Sequence, residues 1–215
     1  YDPVKDFTPI TAGVTTTIVL AAATTLPVNN VRELLEYAKK NPNKLSYSSS
    51  GTGGALHMVG EMFKSSFNVD ILHVPYKGSA PAITALATGE VTLAFNGTSE
   101  SVELARAGKI KILAVAEPKR YVHLPNVPAL AEVLPNYERP PGWFGFFGPA
   151  GMQRPVVGRL NVEMVKALNA SDVSAKLDQI GLTVIANTPE EFGTLLARSI
   201  ELYRQAAKLA GVKPE

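Results

Sequence analysis

Short β-branched runs alternate with helix-type stretches along the whole 215-residue chain. That alternation implies an α/β fold with mostly parallel sheets flanked by helices, because each helix returns the chain to start another strand in the same direction. Thr16 to Ala22 is the first β-branched run, and Leu45–Ser49, Ile71–Val74, Val91–Phe95, Ile110–Ala116, Trp143–Phe147 and Leu182–Ala186 read as later strands. The opening YDPVKDFTPI reads as loop. Leu56, Val59, Gly60, Phe63 and Phe67 share one helical face, as do Phe192, Leu195, Leu196, Ile200 and Tyr203. Asn30 three places before Glu33 resembles a capping box, and Thr188-Pro189-Glu190-Glu191 is a strong helix start. Trp143, Phe144, Phe146 and Phe147 are expected in the core.

Composition removes several classes of function. Twenty-one basic residues stand against 19 acidic ones, a net charge of +2 with no clustering, which argues against nucleic acid as a partner. No apolar run approaches the roughly 18–20 residues that span a bilayer. The absence of cysteine excludes disulfides, thiolate metal sites and a cysteine nucleophile. His57, His73 and His123 lack paired metal spacing, and no cofactor is implied. His57 and His73 read as polar packing residues. The chain opens without Met and without a basic or apolar leader, so it is expected to be a processed product or a fragment.

The residues that point to chemistry lie at three successive strand-to-helix junctions. SSSGTGG, residues 48–54, joins a strand to a helix. Glycines there let a ligand approach the backbone, and N–H groups at a helix start attract anions. Lys77-Gly78-Ser79-Ala80 and Asn96-Gly97-Thr98-Ser99 repeat the arrangement. Ser, Thr and Asn are also what helix starts want as caps, so capping is the competing reading, with Ser79 placed to cap its helix. A dinucleotide fingerprint fits poorly, because Leu56 stands where a third glycine is needed. Gly97-Thr98-Ser99-Glu100-Ser101 starts like a nucleophile elbow but lacks its closing glycine. PNYERPPG, residues 135–142, has three prolines in eight positions and reads as a domain crossing or hinge.

YDPVKDFTPI, SSSGTGG followed by ALHMVGEMF, HVPYKGSAPAITALATGEV, ARAGKIKILAVA and LPNVPALAEV occur in this order along the chain. Together they resemble the solute-binding receptors of tripartite tricarboxylate transporters, the Bug family. The resemblance implies a two-domain periplasmic-binding-protein fold of type II, a cleft that closes on a small carboxylate, no catalysis, and delivery to the membrane components of a tripartite transporter in the periplasm. It divides the chain into residues 1–17 plus 143–215, with the family's preceding segment missing, and residues 18–142. It places ligand contacts at Ser49, Ser50, Gly51, Thr52, Gly53 and Gly54, at Ser79 and Ala80, and at Asn96, although Phe-Asn-Gly stands where many members carry Asp-Asn. Family members carry a further strand and a proline-glycine-rich loop ahead of this opening, forming the opposite wall. Without them, weak binding and self-association through the first domain are expected. Two alternatives stay open: a nucleotide-dependent α/β enzyme using the Ser50–Gly54 loop, and a remnant that binds nothing.

Overall fold

A computed structural model describes residues 1–135 and 137–212. Asn136, within the expected crossing, and residues 213–215, within the expected first domain, lie outside the described residues. In chain order the elements are β1 (Phe7–Thr16), β2 (Ile18–Ala23), α1 (Val31–Lys40), β3 (Ser46–Ser49), α2 (Ala55–Phe67), β4 (Leu72–Pro75), α3 (Ser79–Thr88), β5 (Leu93–Gly97), α4 (Thr98–Arg106), β6 (Ile110–Val115), α5 (Leu130–Val133), β7 (Trp143–Pro149), α6 (Arg154–Leu168), α7 (Ser171–Gln179), β8 (Leu182–Val184) and α8 (Pro189–Leu209). They form two compact units. The first comprises Tyr1–Thr16 and Pro141–Leu202, the second Thr17–Pro140 and the chain from Tyr203. The chain thus passes between units at Thr16/Thr17, at Pro140/Pro141 and within α8. The last passage has no mark in the uninterrupted helical pattern.

In the second unit the strand order is β4-β3-β5-β2-β6. β3 pairs parallel with β4 and β5, while β2 pairs antiparallel with β5 and β6. β2 runs the other way because it leaves the crossing at Thr17, whereas β5 and β6 return toward it. Ile18 accordingly lies opposite Gly97, and the Ala116 N–H donates to the Ile18 carbonyl at 2.7 Å. All six residues of β2 are buried, and they alternate between the two faces. Ile18, Leu20 and Ala22 join Leu34, Tyr47, Phe63, Leu93 and Phe95 on one side. Ala21 and Ala23 join Ile83, Leu86 and Ala94 on the other. Burying a side chain the size of Phe63 or Leu20 contributes about 1.5–3 kcal/mol.

Expected and observed structure differ most in the first unit. Phe7–Ile10, expected within the opening loop, begin the ten-residue strand β1, which pairs antiparallel with both β7 and β8. β1 runs toward one crossing and β7 away from the other, so Thr15 meets Trp143 and a parallel pair is impossible. Pro9 sits where the register shifts, so its missing N–H is tolerated. Trp143 and Phe147 pack on Phe192 of α8, with ring centroids 5.0 and 4.7 Å away. Phe144 and Phe146 alternate to the opposite face and are 62% and 45% exposed, so they are not core residues.

Two buried features shape the second unit. Near both of its strand crossings, the Arg139 guanidinium pairs with Glu117 and donates to the Ala116 and Pro140 carbonyls, while Glu117 accepts from the Ile18 N–H. Deeper in, Gly60 leaves room for a ring: a Cβ there would lie 2.3 Å from the Tyr47 ring. Gly60→Ala must therefore displace Tyr47. It should cost about 1–3 kcal/mol, the usual range for overpacking a core. Urea unfolding of the variant beside the parent checks this, and equal midpoints would contradict it.

Candidate functional site

The parallel strands β4, β3 and β5 are neighbours, so the junctions that follow them lie side by side at one edge of the second unit's sheet. In such sheets the carboxyl ends of the strands are where ligands bind. The two outer junctions flank the first: Tyr76 N–H donates to the Ser49 carbonyl at 3.0 Å, and Gly78 N–H to the Ser50 carbonyl at 3.2 Å. In register, Ser48 lies opposite Ala94, which puts Ser50 and Asn96 each two residues further along neighbouring strands.

The helices that start here are not capped as the polar sequence suggests. The N-cap residues are Gly54, Gly78 and Gly97, and no side chain caps α2, α3 or α4. Ser79 is the first residue of α3 rather than its cap. Gly78 needs its glycine, since its φ is +115°. By contrast α1 of the second unit and α8, which starts in the first, carry side-chain caps. Glu33 N–H donates to Asn30 Oδ1 at 2.9 Å, and Glu191 N–H to Thr188 Oγ1 at 3.2 Å. A helix start leaves backbone N–H groups unpaired and carries the positive end of the dipole. Three such starts with glycine caps form an edge suited to an anion.

The individual residues divide by role. Thr52, Gly53 and Ala80 are exposed, and Ser50, Gly51, Gly54 and Ser79 are half-buried. Ser49 is fully buried, and its hydroxyl is engaged with Gly51 and His73, so it supports the loop from beneath. Asn96 is also fully buried; its Nδ2 donates to Glu100 at 2.9 Å, while its Oδ1 and the nearby Thr98 Oγ1 have no hydrogen-bond partner. A buried polar atom without a partner is costly, which makes this junction unusual. No group of metal-ligating side chains occurs among the described residues, and among them no helix is long and apolar enough to cross a membrane.

Sequence reading missed what lies under the loop. His57 Nδ1 accepts the Gly53 N–H at 3.1 Å, and His73 Nε2 lies 2.7 Å from Ser49 Oγ. The two imidazoles stack with centroids 3.9 Å apart, and Tyr47 stacks on His73 at 4.9 Å. Tyr47 donates to Glu61 at 2.8 Å, and Glu61 pairs with Lys64 at 2.9 Å. Burial lowers the pKa of His57. Burial, and then the neighbouring His57, pushes His73 down to about 4. The four-residue step from Gly53 to His57 was a usable signal for the first contact; nothing near His73 announces the second.

Comparison with known proteins identifies the family. Residues 1–206 match the family described as tripartite tricarboxylate transporter family receptor. A UPF0065 protein from the tcbD-tcbE intergenic region of Pseudomonas sp. (strain P51) is 34% identical over 207 residues, covering 95% of this chain. The chain spans 61% of that relative's length. Among solved structures, R. palustris Rpa4515 with adipate is 35% identical with a TM-score of 0.85, covering 100% of this chain and 72% of that one. MatC from Rhodopseudomonas palustris with bound malate is 28% identical with a TM-score of 0.79, covering 96% of this chain and 71% of that one.

Acid should weaken the fold through the stacked pair. The folded chain favours neutral imidazoles, so the unfolded chain binds more protons as pH falls. The stability they contribute is full above about pH 6.5 and is lost as pH falls through about 4. Melting curves from pH 7 to pH 4 should show Tm falling by about 2–4 °C per kcal/mol lost. His73→Phe keeps a stacked ring without titrating and should lose less over the same window. Equal losses in the two chains would contradict this origin.

Proposed function

The chain belongs to the receptor family of tripartite tricarboxylate transporters, and from that premise we propose that it captures a small carboxylate at the glycine-capped edge of its second unit. The observation that carries the reading is the set of three adjacent helix starts whose N-caps are Gly54, Gly78 and Gly97. A carboxylate there accepts from backbone N–H groups of α2, α3 and α4, with the hydroxyls of Ser50, Thr52 and Ser79 alongside. Gly51 and Gly53, with φ of +139° and +78°, shape the loop so that the backbone rather than side chains faces the ligand. Ser49 holds the loop from below, Ala80 keeps the first turn of α3 small, and at the third start the Thr98 hydroxyl, which has no partner, is the donor beside Asn96. The relatives solved with adipate and malate make dicarboxylates the natural first probes.

The chemistry asked of this edge is capture and release. The chain's role is that of a periplasmic receptor which binds its carboxylate and presents it to the membrane components of a tripartite transporter, without transforming it. Backbone donors report charge and spacing more than side-chain identity, so the length of the dicarboxylate is what such a site reads first.

Two substitutions test the edge without disturbing it. Gly97 has φ −65° and open space around its would-be Cβ, and Gly54 has φ −74°. Serine fits both conformations and is as good an N-cap as glycine. Its hydroxyl would occupy the N–H groups that the ligand needs. A charge-assisted hydrogen bond contributes about 1.5–3 kcal/mol, so Gly54→Ser and Gly97→Ser should each weaken adipate or malate binding about tenfold or more with unchanged Tm. Calorimetry beside the parent checks this. Unchanged affinity in both variants would remove these helix starts from the site.

A further inference from the structure

We propose that His57 and His73 are positioning residues of the 49–54 loop, and that protonation of His57 releases the loop and with it the ligand. The inference rests on the reading of this loop as the carboxylate site. Its basis is the direction of one hydrogen bond. A backbone N–H can only donate, so the 3.1 Å contact from Gly53 N–H requires an unprotonated Nδ1 on His57. The neutral ring then carries its hydrogen on Nε2, on the side of the Glu61 carboxylate 3.9 Å away. At the other end of the loop, Ser49 Oγ accepts from Gly51 N–H at 3.3 Å and meets His73 Nε2 at 2.7 Å. One imidazole thus holds each end of the Gly51–Gly53 segment, and the rings brace each other at 3.9 Å.

Protonation undoes this arrangement. A hydrogen on His57 Nδ1 would face the Gly53 N–H, donor against donor, and the bond is lost. Gly53, at φ +78°, immediately precedes the N-cap of α2, so its release frees the start of that helix. Charging both rings at stacking distance adds repulsion. The charged and titratable groups facing the pair are Glu61 and Lys64 from α2 and Tyr47 from β3, besides each ring's effect on the other from α2 and β4. Glu61 alone favours a charged His57, and its carboxylate is already engaged by Lys64 and the Tyr47 hydroxyl. Burial and Lys64 act the other way.

Two variants separate positioning from packing. In His57→Asn the Asn Oδ1 stands near the position of Nδ1 and accepts from Gly53, but it does not titrate. His57→Leu fills the space without an acceptor. Adipate affinity is measured from pH 7 to pH 5 in parent and variants; protonation of adipate itself is common to all and cancels in the ratio. At pH 7, His57→Asn should bind within about threefold of the parent and His57→Leu about tenfold more weakly. The parent should lose affinity on acidification faster than His57→Asn. In ligand-free protein, nitrogen-15 spectra should show His57 as the Nε2–H tautomer at pH 7. The Gly53 amide should titrate with His57 in the parent and not in His57→Asn. An Nδ1–H tautomer, or a Gly53 amide indifferent to His57, overturns the inference whether or not adipate binds. If the amide titrates as expected and no dicarboxylate binds at any pH, the positioning stands, while both the ligand release and the carboxylate reading fail.

Discussion

The Tyr47 ring occupies space that exists only because residue 60 has no side chain, and the glycine-capped edge is built upward from that placement. Tyr47 supports His73, His73 supports His57, and the two imidazoles hold the loop at Ser49 and Gly53. Below, the Tyr47 hydroxyl ends on Glu61, whose charge is matched by Lys64. A loop carrying positive φ at Gly51 and Gly53 has little intrinsic preference for one shape, since glycine gives up the most conformational freedom on ordering. The layer of rings beneath is what selects the shape.

The glycine N-caps follow from the same logic. A Ser, Thr or Asn cap stabilises its helix by satisfying the N–H groups of the first turn, and those are the groups an anion would use. α1 and α8 keep such caps where the sequence has them. α2, α3 and α4 give theirs up on the one edge where three parallel strands end together. Three neighbouring hydroxyls do other work: Ser48 donates to the Ala82 carbonyl, Ser49 lies under the loop, and Ser101 donates to the Gly97 carbonyl.

Much of this was legible in the sequence, and the remainder was not for identifiable reasons. Helix starts at Asn30 and Thr188 could be read because a capping box is local, closing within four residues. The three junctions could be read because glycine and hydroxyl residues cluster where strand runs give way to helical spacing. The β1 strand could not, because its pairing partners, Trp143–Pro149 and Leu182–Val184, lie more than a hundred residues away. The exposed Phe144 and Phe146 misled because aromatic residues in a strand signal burial only once the covered face is known. The imidazole stack was invisible for a similar reason, since His57 and His73 meet only when β4 pairs with β3 beside α2.

The central claim is that a carboxylate sits on the backbone donors of three neighbouring helix starts, and amide chemical shifts read those donors one by one. Titrating adipate and malate to millimolar concentration into nitrogen-15-labelled protein should move the first-turn amides of residues 55–57, 79–80 and 99–100, and the loop amides of residues 50–54, together, with one saturation curve, at strengths too weak for calorimetry as well as at tight binding. Shifts confined to residues elsewhere, or a folded chain in which none of these amides responds, would contradict it.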